Sequence, residues 1–274
     1  MSEAGARADV GAPGDGGAPA PIAIVAAMHE ELSALLARMP DERRVHLAGR
    51  DFWVGHLEGQ PVVAVLSRIG KVAAAITATV LLERFGVRAI VFTGVAGGLA
   101  PGVRVGDVVI ATRLLQHDLD ATPIFPKYEV PLTGHARFAT DTAISDALAQ
   151  VAGELLADPL QLLGEKVVED FELLAPRLHR GLVVSGDRFV STAAESEALR
   201  RALPDALAVE MEGAAVAQAC HDYGVPFAAV RTISDRADDA AHGDFTRFVS
   251  VVASRYSLAL IGAWLAGLPA APAT

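Results

Sequence analysis

The stretch that decides the fold runs from Ala206 to Asp235 and reads ALAVEMEGAAVAQACHDYGVPFAAVRTISD. Its first six residues are apolar except for one carboxylate, which is typical of a buried strand. Residues 213–223 have helical composition and are followed by a glycine, a common helix stop. Residues 225–233 are apolar again and predict a second strand. One acid, Glu212 or Asp235, follows each strand directly.

The same alternation of strands and helices runs through the chain from Ile22 onward. The pattern predicts further strands at 22–27, 52–57, 61–66, 89–93, 105–112 and 181–185. It predicts further helices at 32–36, 71–85, about 136–156, 193–203 and 244 to about 265. Residues 158–180 are charged and are expected to be an irregular surface excursion. The alternation predicts an α/β domain with a mixed, mostly parallel central sheet flanked by helices.

The domain boundary is expected near residue 21. Residues 1–21 are rich in Gly, Ala and Pro and predict a disordered tail. Residues 22–274 show neither a repeat nor an internal linker, and they predict one domain.

Composition narrows the class of partner. The net charge of −10 and the lack of a Lys/Arg cluster favour a small-molecule substrate over nucleic acid. The single cysteine, Cys220, excludes an intrachain disulfide and is expected to be a buried apolar residue. We identify no secretory signal and no apolar run of membrane-spanning length, so we expect a cytoplasmic protein that does not bind membranes.

Several candidate residues follow predicted strands. They are Glu31, the glycines of segment 94–98, Phe189, Glu212 and Asp235. In parallel α/β sheets, ligands bind outside the carboxyl ends of the strands, so these residues are expected at one cleft. From spacing alone, a simpler interpretation stays open. Glu31 and Glu212 are then helix-start acids and Asp235 belongs to a turn.

Motifs for cofactors and metals are lacking. Segment 94–98 does not match the dinucleotide-binding pattern G-x-G-x-x-G. Its glycines indicate only that the backbone there comes close to another group. The histidines lack H-x-x-x-H spacing, and the run His117–Asp120 is better explained as a polar surface turn. We expect no cofactor and no metal.

Eight ordered motifs resemble a known family. They are AAMHEE (26–31), IGKVAAA (69–75), TGVAGGL (93–99), VGDVV (105–109), HD (117–118), VSGDRF (184–189), AVEME (208–212) and VRTISDRAD (230–238). From about Ile22 to Leu265 the chain resembles the 5'-methylthioadenosine/S-adenosylhomocysteine nucleosidases. These belong to the purine nucleoside phosphorylase superfamily, so the resemblance implies a nucleoside phosphorylase-like fold.

The resemblance implies hydrolysis of the N-glycosidic bond of an adenosine thioether. Asp235 would protonate the purine N7, Glu212 would hold the ribose hydroxyls, and Glu31 would activate the attacking water. The implied substrate-binding residues are Met28, Ile69, Ala96, Gly97, Phe189, Val190, Met211, Arg231 and Ser234. Ser234 would orient Asp235, Phe189 would stack on the purine, and Arg231 would support the two glutamates.

The resemblance also implies a homodimer in which the neighbouring subunit closes the 5' end of the site. Met28, Ile69 and the segment 121–124 would lie near that boundary. Three departures from the family pattern concern the site: Val95 stands where a serine is common, 151–180 is longer, and 122–126 has fewer aromatic residues. The last two leave the 5' substituent open.

Three alternatives remain at this stage. A phosphorylase on the same fold would need arginines to clamp phosphate, and Arg68 is the residue that keeps it open. A catalytically inactive nucleoside-binding relative is disfavoured, because all three acids stand at the motif positions. Another adenine nucleosidase with a different 5' group is not separated from the main interpretation.

Overall fold

The structure is a computed structural model that describes residues 19–237 and 245–270. The strands are β1 Ile22–Ala26, β2 Arg43–Leu47, β3 Arg50–Leu57, β4 Gln60–Leu66, β5 Ala89–Gly98, β6 Val108–Gln116, β7 Phe138–Ala139, β8 Leu178–Ser185, β9 Ala206–Glu210 and β10 Phe227–Asp235. The helices are α1 His29–Leu36, α2 Lys71–Phe85, α3 Thr142–Leu156, α4 Pro159–Leu163, α5 Glu165–Asp170, α6 Ala193–Ala202, α7 Gly213–Tyr223, α8 Phe245–Phe248 and α9 Ser254–Ala266. A π-helical turn, Val249–Ala253, joins α8 to α9.

All ten strands form one mixed sheet in the order β10-β6-β8-β9-β5-β1-β4-β3-β2, with β7 paired to β6. Strand β10 also pairs with β5, so β5, β10, β6, β8 and β9 close into a ring. The pairs β1–β4, β1–β5, β10–β5, β6–β8 and β8–β9 are parallel. The pairs β2–β3, β3–β4, β5–β9, β6–β10 and β6–β7 are antiparallel. The expected α/β domain with a mixed sheet is confirmed.

Two apolar layers cover the sheet. Helices α1, α3 and α9 contribute Leu35, Leu148 and Leu260 to one buried cluster. Helices α2 and α7 contribute Leu81 and Val216 to the other. Because alternate side chains of a strand point to opposite faces, β1 supplies residues to both clusters. The helices therefore hold the strands rigidly from both sides.

The C-terminal helical segment, Phe245–Ala266, is long and apolar enough to cross a membrane. However, 61% of its most apolar window is buried inside the protein. Tyr256, Leu260 and Trp264 are at most 4% exposed and belong to the first cluster. It is therefore a core helix of the domain.

Several sequence boundaries need correction. The segment 94–98, expected as a loop, continues β5 to Gly98, because β10 and β9 supply backbone partners along it. The excursion 158–180 contains α4, α5 and the start of β8. The helix expected from about 136 begins at Thr142, after the short strand β7. The tail segment 1–18, Asp238 and the expected helix start at 244 lie outside the described residues.

Candidate active site

A cavity of about 200 Å³ lies at the carboxyl ends of β1, β5 and β10. Its wall consists of Ala27, Met28, Ile69, Val95, Ala96, Gly97, Arg188, Phe189, Val190, Val209, Glu210, Met211, Glu212, Ser234, Asp235 and Phe245. The expected catalytic and substrate-binding residues lie in this wall except Glu31 and Arg231, and Gly94, Gly98 and segment 121–124 also lie outside it. We call it the site cavity.

The start of α7 explains why Glu212 is available to the cavity. Glu212 occupies the N-cap position but makes no side-chain capping hydrogen bond. Instead, the carboxylate of Glu210 accepts from Glu212 N at 3.1 Å and from Gly213 N at 2.9 and 3.0 Å. The hydroxyl of Ser185 accepts from Ala214 N at 2.8 Å. Because other groups satisfy the helix terminus, the helix-cap interpretation of the Glu212 side chain is wrong.

Arg231 lies beside this cap rather than in the cavity wall. Its Nη2 donates to Glu210 Oε2 at 3.0 Å, and both side chains are buried. Its Nη1 donates to the carbonyls of Phe92 and Val230, both at 2.9 Å. The guanidinium also lies 4.0 Å from the centroid of the Phe92 ring. Arg231 therefore acts on Glu212 through its hydrogen bond to Glu210 and through its positive charge, which also acts on Glu31.

Glu212 is 6% exposed, and one of its carboxylate oxygens accepts from Gly70 N at 2.8 Å. Burial raises the pKa of Glu212 to about 7, and the negative charge of Glu210 raises it as well. Gly70 has φ of +93°, a conformation that glycine adopts easily. The turn before α2 thus aims a backbone N–H at the carboxylate.

A polar clamp fixes that turn against the segment that carries Phe189. Asp187 Oδ1 accepts from Lys71 N at 2.7 Å, and Asp118 Oδ2 accepts from Asp187 N at 2.8 Å. Lys71 Nζ donates to Asp118 Oδ1 at 2.6 Å. Two walls of the cavity are therefore tied together outside it.

A bulge at the end of β10 directs two adjacent side chains into the cavity. Ile233 pairs with Ala96 and Asp235 pairs with Gly97, so Ser234 is the additional residue. In a regular strand, neighbouring side chains point to opposite faces, whereas a bulge changes that direction. Ser234 Oγ donates to Asp235 Oδ2 at 2.8 Å, as expected for an orienting residue. Asp235 Oδ1 also accepts from Ala237 N at 2.7 Å, so Asp235 belongs to a turn and to the cavity at once.

Gly97 is required for this arrangement because of the space around it. A Cβ atom at Gly97 would lie 2.8 Å from Ala237 Cβ and 3.0 Å from Asp235 Oδ1. Both separations are shorter than ordinary van der Waals contact. The close backbone approach expected for segment 94–98 therefore occurs between Gly97 and the turn that positions Asp235.

Glu31 is fully buried and does not contribute to the cavity wall. Its Oε1 accepts from Ser257 Oγ at 2.7 Å, and its Oε2 accepts from Met28 N at 3.2 Å. Thr93 Oγ1 lies 2.6 Å from Ser257 Oγ. Burial raises the pKa of Glu31, which makes its carboxylate a stronger base. Its bond to Met28 N also caps α1, so the helix-start interpretation describes part of its role.

Phe245 lies on the aromatic side of the cavity and was not identified from the sequence as a site residue. Phe189 is 43% exposed, and its ring lies 6.5 Å from that of Phe245 at 78°. Val190 is 8% exposed and lies in the same wall. Glu210 and Ser185 were also missed. An acid that ends a strand three residues before a helix begins is a signal that could have identified Glu210 as the cap.

Metal-binding clusters are absent from the part of the chain that the structure describes. No group of three or more His, Cys, Asp or Glu side chains there could hold a metal ion. The wall contains carboxylates, a hydroxyl, the guanidinium of Arg188, backbone groups and apolar side chains. Its chemistry is that of proton transfer and of support for positive charge.

Comparisons with known proteins agree on a family. A family model described as the phosphorylase superfamily matches residues 21–262. A 5'-methylthioadenosine/S-adenosylhomocysteine nucleosidase from Neisseria meningitidis, solved with methylthio-immucillin-A, is 33% identical. Its TM-score is 0.80, and the match covers 91% of this chain and 100% of the other.

Two further solved structures are similar. An S-adenosylhomocysteine nucleosidase from Streptococcus pyogenes, solved with 5-methylthiotubericidin, is 33% identical with a TM-score of 0.78, and the match covers 93% of this chain and 99% of the other. A futalosine hydrolase of Helicobacter pylori is 30% identical with a TM-score of 0.77, and the match covers 90% of this chain and 98% of the other. The set includes more than one substrate.

Replacing Gly97 with alanine should destabilise the protein. The new Cβ would collide with Ala237 and Asp235, and overpacking of this kind costs about 1–3 kcal/mol of unfolding free energy. Urea denaturation measures the loss. Gly102→Ala is the control, because a Cβ there meets no atom within 4 Å. Equal unfolding free energies for both variants would contradict the tight fit at Gly97.

Glu212→Gln should stabilise the protein increasingly as the pH rises from 4.5 to 7, and fully above that range. The folded-state pKa of Glu212, about 7, lies above its ordinary value of 4.5, so the protonated form favours folding. That contribution is complete below pH 4.5 and is lost as the pH rises through 7. At about pH 8 the variant should be more stable by about 3 kcal/mol, and near pH 4.5 the two should be nearly equal.

Urea denaturation at both pH values checks the difference, with Glu154→Gln on exposed α3 surface as the control. A pH-independent difference between Glu212→Gln and the parent would show that burial does not hold Glu212 protonated.

Proposed function

The chain belongs to the phosphorylase superfamily, in the branch of the 5'-methylthioadenosine/S-adenosylhomocysteine nucleosidases, and from this we propose its reaction. It hydrolyses the N-glycosidic bond of 5'-methylthioadenosine, S-adenosylhomocysteine or both, and releases adenine and the thioribose product. The observation that carries the proposal is the presence of two carboxylates in one cavity. Glu212 and Asp235 line one cavity from different strand ends, and an aromatic wall faces them.

The acids divide the reaction between them. Asp235, held by Ser234 Oγ and Ala237 N, protonates the purine N7 and makes adenine a better leaving group. Glu212 holds the ribose hydroxyls and stabilises the positive charge that develops on the sugar. Glu31, buried and hydrogen-bonded to Ser257, takes the proton of the attacking water. Phe189 stacks on the purine, while Val190, Met211, Ala96 and Gly97 shape the base and ribose sides.

The cations near the cavity favour water over phosphate as the nucleophile. Among the described residues of the wall, Arg188 is the only arginine, and it forms an ion pair with Glu195. Arg231 is committed to Glu210, and Arg68 does not line this cavity. A phosphate dianion would need guanidinium groups free to clamp it, and it would enter beside the carboxylates of Glu210 and Glu212.

We also propose that the protein is a homodimer whose second subunit closes the site. Ile69 lines the cavity and is nevertheless 69% exposed. Val72 and Ile76 lie on the same face of α2 at helical spacing and are 71% and 43% exposed, and Ile124 is 81% exposed. Exposed apolar side chains beside a ligand site are typical of an interface. With this substrate, a cytoplasmic location and a part in methionine salvage follow as proposals.

Product analysis tests the reaction. Incubation with 5'-methylthioadenosine should release adenine and methylthioribose at the same rate with and without phosphate. Asp235→Asn should lose at least about a thousandfold in kcat, because a general acid is removed. Its circular dichroism and unfolding midpoint should stay close to those of the parent.

A strict need for phosphate, with a ribose 1-phosphate product, would overturn hydrolysis in favour of phosphorolysis. Unchanged turnover in Asp235→Asn would remove Asp235 from the mechanism. A competition panel of 5'-methylthioadenosine, S-adenosylhomocysteine, adenosine, deoxyadenosine and futalosine then ranks the 5' substituents.

Val72→Glu tests the dimer. A charge in the centre of an apolar interface should convert the dimer to a monomer in sedimentation velocity. Val72 does not line the site cavity, so a rise of about tenfold in KM for methylthioadenosine would reflect loss of the partner subunit. Ala143→Glu, an exposed position in the first turn of α3, is the matched control. A monomeric parent protein would refute the dimer.

A further inference from the structure

A second cavity, of about 250 Å³, lies among α1, the β2–β3 turn and the end of β4. One side of it is apolar and is formed by Leu32, Leu36, Trp53 and Leu66. This side fits an alkyl or aromatic arm. We call it the second cavity.

Its other side carries two guanidinium groups. Arg50 is 8% exposed and donates to Thr77 Oγ1 and the carbonyls of Ala48 and Ala73, at 2.8, 2.8 and 3.0 Å. These acceptors are all neutral, and Arg50 forms no ion pair with any acid in the described residues. A buried cation is ordinarily paired with an acid. Arg50 is therefore a cation whose charge is not balanced by a direct partner.

Arg68 adds a second positive charge next to the first. It lines the same cavity and donates to the carbonyl of Gly49. Burial lowers the pKa of Arg50, and the charge of Arg68 lowers it further, which places the two cations near each other. Arg68 also has φ of +61°, a conformation that is costly for any residue except glycine. A long cationic side chain thus occupies a position whose backbone conformation glycine would adopt at lower energy.

One carboxylate in the wall of the second cavity partly offsets this pair, because the hydrogen bond from His46 and the charges of Arg44 and Arg68 lower the pKa of Asp51. Asp51 lines it, but its carboxylate is already bound by His46 Nδ1 at 2.7 Å and lies 3.6 Å from Arg44 Nη1. His29 also lines it and shares a hydrogen bond with Ser33 Oγ at 3.3 Å. The cavity therefore combines an apolar wall with a net positive end.

Consecutive residues of the chain line the two cavities. Met28 and Ile69 line the site cavity, and both are expected at the 5' end of the nucleoside. The residues next to them in the chain, His29 and Arg68, line the second cavity. The two cavities therefore lie against consecutive residues at two places in the chain, 28–29 and 68–69.

We propose that the second cavity is a subsite for a carboxylate at the end of an apolar 5' substituent, with Arg68 and Arg50 as its binding groups. The proposal rests on the proposed function, since it extends the same nucleoside site. A guanidinium binds a carboxylate through charge-assisted hydrogen bonds, and the apolar wall covers the arm that leads to it. Arg68 is thereby a specificity-determining residue.

The test compares two substrates that differ only in charge: 5'-carboxybutylthioadenosine and its primary amide. The parent enzyme should prefer the carboxylate by at least about tenfold in kcat/KM, mainly through KM. Arg68→Gln should reduce the preference to within about twofold. Arg68→Gly should do the same without backbone strain, because glycine tolerates φ of +61°. Arg84→Gln, exposed at the other end of α2, should keep the full preference.

Binding measurements test the proposed subsite independently of turnover. The dissociation constants of both compounds for Asp235→Asn, measured by calorimetry, should show the same preference. Equal affinity for carboxylate and amide, or a preference that persists in both Arg68 variants, would overturn the subsite. Failure of the parent enzyme to hydrolyse methylthioadenosine would instead refute the proposed function. The calorimetric comparison would still test the subsite in that case.

Discussion

Glu210 and Arg231 form a buried ion pair that joins three strands and one helix. Arg231 lies on β10 and donates to Phe92 on β5, while Glu210 ends β9 and binds the first N–H groups of α7. Breaking such a pair by removing one partner costs about 3–5 kcal/mol, because the other charge stays buried. The position of the segment from Met211 to Gly213 depends on this pair, since Glu210 is its anchor on one side.

That anchor explains how a carboxylate at a helix start can serve a ligand. An acid at the N-terminus of a helix is normally drawn onto the free N–H groups. Here Glu210 and Ser185 occupy those groups, so Glu212 is directed to Gly70 N and the cavity. Burial and the negative charge of Glu210 then raise the pKa of Glu212 to about 7. A carboxylate that exchanges its proton near neutral pH, facing an oriented Asp235, is suited to cleavage through a cationic sugar.

Much of this arrangement follows from local sequence patterns, and some of it does not. The strand–helix–strand unit from Ala206 to Asp235 was predictable because apolar runs and glycine stops mark its elements. The convergence of Glu212 and Asp235 followed from the rule that strand ends meet. The extension of β5 through its glycines was not predictable, because its backbone partners come from β9 and β10, far away in the chain. The roles of Glu210 and Phe245 likewise depend on tertiary contacts.

The most direct test is a crystal structure with a transition-state analogue that carries a cationic ribose mimic and a protonated purine ring. We expect Glu212 within hydrogen-bond distance of the ribose hydroxyls and Asp235 at the position of the purine N7. Glu210 should remain hydrogen-bonded to Arg231 and to the first N–H groups of α7, as in the present structure. A structure in which Glu210 binds the sugar, or in which Glu212 caps α7, would contradict this division of roles.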